Sequence, residues 1–351
     1  MERTMRRSRI SMGGEVEAFE REAAAMVERE HAVAVCNGTA AVELAVRLVG
    51  AGPGDEVLVS ALSHIATVNA IVMNGATPVF CDVDPQTLNI DPADAARRIT
   101  PRTRAVMVAD YCGMPSDYDG LEALVADHGL EMVLDGAQSL GARHRGRMTC
   151  SLGSIASTSF HTAKPLFCGE GGMVFTNDPE IAERARRLRT MGEIPGRKYV
   201  HESLSRNLRI TDMAAALGRA QIARAAEIFD ERAFVAECYL HRLTGVAGVV
   251  TLEPLPHATM AWFSMPVLVT ERDRVAAALA ARDIETRSLY PVPAYRQPIP
   301  EFLPFAAERR TAAESASSRV LNLPLFLGLT ETEVDVVVDA LADAIAAPRG
   351  V

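Results

Sequence analysis

The chain has 351 residues, a formal net charge of -9, 48% apolar residues and 23% charged residues. This length suits one large domain with a smaller one, and the composition excludes disordered and fibrous classes. The acidic balance argues against sequence-independent nucleic-acid binding, which needs a basic face to displace counterions from phosphates.

The chain opens on Arg3, Arg6, Arg7 and Arg9, and no apolar run follows them before Gly13 and Gly14. This reads as a solvated tail, not a signal peptide. No segment approaches the roughly 20 apolar residues of a membrane helix. The six cysteines, at 36, 81, 112, 150, 168 and 238, lie far apart with no Cys-x-x-Cys and no nearby His pair. That spacing predicts no metal site and a reduced, cytoplasmic chain with ordinary buried thiols.

From residue 30 to 135 short apolar runs alternate with longer helix-period segments, as parallel strands joined by crossover helices do. Strands are expected at 32–36, 56–59, 78–81, 104–109 and 131–134, with helices at 39–49, 65–74, 92–99 and 117–128. Two more strands, 155–160 and 172–176, flank a turn-rich segment from His161 to Gly171, and a helix follows at 179–190. Thr211 to Ala236 reads as one long Ala-rich helical stretch leading into a mixed α/β tail from about 246. The fold class is α/β, with a mainly parallel seven-stranded sheet and helices on both faces. Residues 1–235 are expected to form an N-terminal arm and large domain, and 236–351 a smaller domain. Pro291 to Pro304 reads as a proline-rich loop.

Three stretches carry chemistry. Asn37-Gly38-Thr39-Ala40 closes a strand and opens a helix, where free N–H groups and the helix dipole favour a phosphate; alone it reads rather as an ordinary helix start. Asp135-Gly136-Ala137-Gln138 follows the carboxyl end of a strand, the usual ligand edge of an open α/β sheet. A carboxylate there can face a pyridine nitrogen and keep it protonated, and an amide can donate to a phenolic oxygen; the bland alternative is a capping Asp with a surface Gln. Lys164 lies in a Ser/Thr/Gly-rich turn between two apolar strands, a desolvated setting that favours a nucleophilic amine. Ser159 offers a hydroxyl to the same phosphate.

The order of these stretches resembles the DegT/DnrJ/EryC1/StrS group of sugar and cyclitol aminotransferases, within the fold type I enzymes that use pyridoxal 5'-phosphate (PLP). The matching segments include NGTAAVELAV at 37–46, GPGDEVLV at 52–59, LDGAQSLGA at 134–142, SFHTAKPLFCGEGG at 159–172 and NLRITDMAAALGRAQ at 207–221. Weaker matches lie at 287–298 and 321–326. The resemblance implies Lys164 as the Schiff-base lysine and general base, Asp135 as the pyridinium partner and Gln138 as the phenolic-oxygen contact. It implies Gly38, Thr39, Ala40 and Ser159 as the phosphate cradle, with Asn207 reaching the phosphate of a neighbouring subunit in a homodimer with shared sites. His161, Arg209, Arg287 and Tyr290 fall where substrate contacts are expected. The implied reaction moves an amino group from glutamate or glutamine to a keto sugar or keto cyclitol, with PLP cycling through pyridoxamine 5'-phosphate.

Several positions depart from the family pattern. Ser63-His64 stands where the family has a Thr-aromatic pair, so His64 is expected to lie over the cofactor ring, with a helix-start histidine as the alternative. Ser60 replaces a usual proline, and Arg206 replaces a small or aromatic residue beside Asn207. The rival readings are a PLP- or PMP-dependent dehydratase of the same fold, which Lys164 counts against, and a cofactor-bound regulator without activity.

Overall fold

A computed structural model of the chain describes residues 2–6, 10–305 and 307–347. Helices α1 (Glu2–Met5) and α2 (Gly14–Met26) lead into β1 (His31–Val35), α3 (Gly38–Leu48), β2 (Glu56–Ser60), α4 (Ile65–Met73) and β3 (Thr77–Cys81). The alternation continues through α5 (Pro92–Arg97), β4 (Thr103–Ala109), α6 (Tyr118–His128) and β5 (Glu131–Asp135). A short hairpin of β6 (Arg143–His144) and β7 (Arg147–Met148) precedes β8 (Ile155–Ser159), β9 (Gly172–Thr176) and α7 (Pro179–Arg189).

Seven strands form one sheet in the order β1-β9-β8-β5-β4-β2-β3. Each lies within one residue of its expected position. The β3, β2, β4, β5 and β8 strands run parallel, whereas β9 is antiparallel both to β8 and to the edge strand β1. Successive side chains of a strand face opposite ways. Accordingly Val57 and Val59 enter one apolar core and Leu58 the other, as do Val33 and Val35 against Ala32 and Ala34. Both faces are therefore covered by helices. The helices begin where the sequence supplies caps: Asn37, Asp91, Asp117 and Asp178 each accept a backbone N–H of the following turn. Pro92 and Pro179 follow two of those caps at a position that needs no N–H donor.

Two expectations need correction. The stretch 211–236 is two helices, α8 (Asp212–Ile222) and α9 (Ala225–Leu243), broken at Ala223–Arg224. A straight helix over that stretch would run about 39 Å in one line, and its halves serve different bodies. Helix α8 packs on α2, while Val235, Cys238, Tyr239 and Leu243 of α9 belong to a separate C-terminal core. Nor is the N-terminus wholly a solvated tail. Thr4 is buried and α1 lies against α8, and Ser11 bridges to Thr211; Arg7 and Arg9 fall outside the described residues. Asp212 seals this junction, accepting the N–H groups of Gly13, Glu15 and Val16 at 2.9–3.0 Å and so capping α2 from far along the chain.

Beyond α9 the chain forms β10 (Val249–Thr251), β11 (Ala258–Thr259), β12 (Met265–Val269), α10 (Arg272–Ala280), α11 (Thr311–Arg319), β13 (Val320–Leu323) and α12 (Glu331–Ala346). Strands β10, β12 and β13 make a small antiparallel sheet, and β11 returns to pair with β6. The proline-rich loop contains two tight helical turns, whose Tyr295 and Phe302 are buried against Phe80. Among the described residues no helix is long and apolar enough to cross a membrane.

Candidate active site

A cavity of about 540 Å³ opens at the carboxyl ends of the parallel strands, and Gly38, Thr39, His64, Asp135, Gln138, Ser159, His161, Lys164 and Tyr290 all line it. The strand order dictates this gathering. Strand β5 delivers Asp135 beside β8, which delivers Ser159, and the start of α3 lies against the end of β8. Gly38 is required there, because a Cβ at that position would fall 2.5 Å from the Cβ of Ser159. Asn37 caps α3 through Ala40 N–H at 2.8 Å. The N–H groups of Gly38 and Thr39, which a helix start leaves without intrahelical partners, belong to the cavity wall.

Lys164 is enclosed, with its ammonium 4.4 Å from the centroid of the Phe263 ring. It makes no ion pair among the described residues. Burial lowers its pKa from the ordinary lysine value, and the negative charge of Asp135 partly opposes this. A partly neutral amine is a better nucleophile and base than an ordinary solvated ammonium.

Asp135 is oriented by a residue the motifs did not reveal. Thr67, fully buried in the first turn of α4, donates its hydroxyl to Asp135 Oδ2 at 2.7 Å. The Ala137 N–H reaches Oδ1 at 3.2 Å. The only trace of Thr67 in the sequence is a hydroxyl within an otherwise apolar helix face, three residues after the Ser63-His64 departure.

Gln138 is held at both ends. Its Oε1 accepts the Cys112 N–H at 2.9 Å, which directs Nε2 to the Tyr290 hydroxyl at 2.7 Å. Cys112 adopts a left-handed backbone, φ 53° and ψ 18°, unusual for a residue with a side chain. The turn that contains it is fixed from behind by buried Asn89, which accepts Tyr111 N–H and donates to the Met114 carbonyl. Buried Asp110 accepts from the Ser116 and Tyr118 hydroxyls.

His64 stands at a helix start, the alternative expected for it, and faces the cavity. It lines the cavity, and its ring meets Tyr290 edge-on with centroids 5.8 Å apart. It is also the N-cap of α4, with Nδ1 accepting Ala66 N–H at 3.2 Å. That bond requires the neutral ring with its proton on Nε2. His161 holds its own turn in a similar way, accepting Ala163 N–H at Nδ1.

Four expected site residues lie outside the cavity wall, and Ala40 among them gives its N–H to the Asn37 cap. Asn207 is exposed and Arg209 half-buried, and neither lines this cavity. Arg287 pairs with Glu285 at 3.0 Å and borders an adjacent cavity of about 700 Å³, which shares Lys164 and Phe263 with the first. Among the described residues no group of His, Cys, Asp or Glu is placed to hold a metal ion.

Residues 1–342 match the DegT/DnrJ/EryC1/StrS aminotransferase family. The chain belongs to this family. It is 39% identical to the dTDP-3-amino-3,4,6-trideoxy-alpha-D-glucose transaminase of Streptomyces venezuelae, with 97% of this chain and 90% of the relative covered. It is 37% identical to the GDP-perosamine synthase of Caulobacter vibrioides, over 94% of this chain and 90% of the relative. The crystal structure of S. venezuelae DesV in complex with a ketimine intermediate superposes with a TM-score of 0.94 at 37% identity, covering 99% of this chain and 94% of that one. Family membership makes this DegT/DnrJ/EryC1/StrS protein an aminotransferase, and the fold expected from its sequence is that of its structural relatives.

Proposed function

We propose that this protein transfers an amino group from glutamate or glutamine to a keto group on a nucleotide-linked sugar, or on a cyclitol, with PLP as cofactor. The observation that carries the reading is the placement of Lys164, a half-buried lysine with no ion pair among the described residues, in one cavity with Asp135, Ser159 and the start of α3. These residues fit a phosphorylated pyridine. The N–H groups at the start of α3 and the Ser159 hydroxyl suit its phosphate, and the Thr67-oriented carboxylate of Asp135 suits its ring nitrogen. Buried Ser63 Oγ, which has no protein partner, leaves one further hydroxyl for a polar ligand.

Bound PLP supplies an electron sink that lets a C–H bond beside an amino group ionise, and it stores the amino group between half-reactions. The protein's own contribution is to bind, orient and move protons. Lys164 would anchor the cofactor and, as general base, would hold and move the proton. Asp135 would keep the ring nitrogen protonated, and the hydrogen-bonded pair of Gln138 and Tyr290 would offer donors to the cofactor. Relatives act on dTDP-, GDP- and UDP-linked sugars by name, which supports a nucleotide-linked acceptor without favouring one nucleotide.

The protein is read as a homodimer with shared sites. Asn207 is exposed away from its own cavity, near a surface carrying exposed Met191, Tyr199, Val200 and Leu204; a second subunit would both cover that surface and receive Asn207. Six free cysteines support a reducing, cytoplasmic setting. The body after about residue 235, with its own sheet and core, is assigned as the smaller domain.

The deciding experiment adds PLP to purified protein and reduces the product with borohydride. Peptide mass spectrometry should find the cofactor on Lys164. Glutamate or glutamine alone should then convert unreduced holoenzyme to its pyridoxamine form with release of one keto acid. Failure of every amino donor to do so, together with loss of water from a hydroxylated substrate, would replace this reading by a dehydratase.

A further inference from the structure

Strand β13 reads Val320-Leu321-Asn322-Leu323, and all four side chains are buried. A side-chain amide in such a strand is unfavourable unless its polar atoms are all engaged, and those of Asn322 are. Its Oδ1 accepts Leu289 N–H at 3.1 Å, and its Nδ2 donates to Ser264 Oγ at 2.9 Å and to Cys112 Sγ at 3.3 Å. Its backbone exchanges two further hydrogen bonds with Arg287.

The three side-chain partners belong to three different loops, and each loop holds a residue of the cavity wall. Leu289 precedes Tyr290, and its carbonyl is also held by the Tyr111 hydroxyl. Ser264 follows Phe263, the ring over Lys164. Cys112 presents the N–H that orients Gln138, and its carbonyl accepts from Phe263 N–H. An apolar residue at 322 would complete the strand equally well but would leave all three loops without this common tie.

We propose that Asn322 is a positioning residue for amino transfer: one buried amide fixes Leu289, Ser264 and Cys112 together, and so holds Tyr290, Phe263 and Gln138 around Lys164. It is not part of the wall of the cavity that holds Asp135 and Ser159, and it borders the adjacent cavity. Its influence passes through the Gln138–Tyr290 hydrogen bond and the packing of Phe263 on the lysine. The thiol of Cys112, pushed up to about 11 mainly by burial, stays neutral and serves only as an acceptor for the amide and a filler of the space between the loops.

This inference rests on the PLP reading, and the test separates the two. Wild type, Asn322→Leu, Tyr290→Phe and the double variant are saturated with PLP, and the visible band of bound cofactor is titrated with pH alongside steady-state kinetics. Asn322→Leu should move the apparent pKa of the band by about half a unit or more. It should lower kcat about tenfold with a less than roughly threefold change in the donor KM, the pattern of a lost contact that acts in the reaction more than in binding. In the Tyr290→Phe background the further loss should shrink to about twofold, because both changes break one network. Should Asn322→Leu fail to fold, Asn322→Ser, too short to reach Leu289, is measured against the same expectations. A band and kcat equal to wild type, or losses that multiply fully with Tyr290→Phe, would reduce Asn322 to a structural residue. Absence of any PLP band in wild type would instead remove the cofactor reading itself.

Discussion

Replacing His64 by Phe restores the family's aromatic residue and removes a helix cap. In the wild type Nδ1 accepts Ala66 N–H at 3.2 Å; Phe has no acceptor to offer. Loss of an N-cap costs about 1 kcal/mol. With an unfolding entropy of about 2.1 cal/mol/K per residue, a chain of this length should melt about 1–2 °C lower. Only the neutral imidazole caps. Burial lowers the folded-state pKa of His64, Asp135 opposing this and Lys164 adding to it. The stabilisation is therefore complete above the unfolded value of about 6.5 and is lost as pH falls through the lower folded value. Scanning calorimetry of the cofactor-free protein should show the full deficit of His64→Phe at about pH 8 and a smaller one at an acid pH below the lowered folded-state value, where the wild type loses its cap too. His64→Asn keeps a capping oxygen and should melt with the wild type at the higher pH. An equal deficit for the Phe variant at both pH values would refute the argument that a neutral imidazole is the cap.

Thr67→Val keeps the buried shape but removes the hydroxyl given to Asp135. A hydrogen bond to a charged group is worth about 1.5–3 kcal/mol, so PLP should bind roughly ten to a hundred times more weakly in an absorbance titration, and an unchanged affinity would show that Asp135 needs no such partner. Asp212→Ala strips the acceptor from three buried N–H groups at the start of α2. The expected cost of about 2–4 kcal/mol corresponds to a melting temperature about 3–5 °C lower, and a shift under about 1 °C would mean that water replaces the carboxylate.

The sheet was legible because its strands are short, apolar and bounded by turn residues, and the motif residues because the sheet's parallel order brings β-strand ends together. Asp135 and Ser159 meet because β5 and β8 are neighbours, a fact that the order of motifs along the chain anticipates. Thr67, Tyr111, Phe263 and Asn322 were not legible. Each acts through contacts that span 33 to 210 residues of sequence or through the face of a ring, and none sits in a stretch whose spacing marks it out. The break between α8 and α9 was hidden for a different reason. Neither Gly nor Pro punctuates it, and the chain turns there because two separate cores claim its two halves.

The antiparallel edge of the main sheet bears on how the protein is made. Strand β1 pairs with β9 alone, Val35 lying opposite Gly172, so the first strand of this sheet to leave the ribosome waits for the last strand of the same sheet. At synthesis rates of about 5–20 residues per second that delay is on the order of ten seconds. For that interval the segment His31–Val35 is an apolar ribbon with both backbone edges open, the form in which nascent chains capture one another. Slower synthesis lengthens the exposure, while a lower concentration of nascent chains reduces its harm; the yield of folded protein should therefore depend more on expression level than on the stability of the finished molecule.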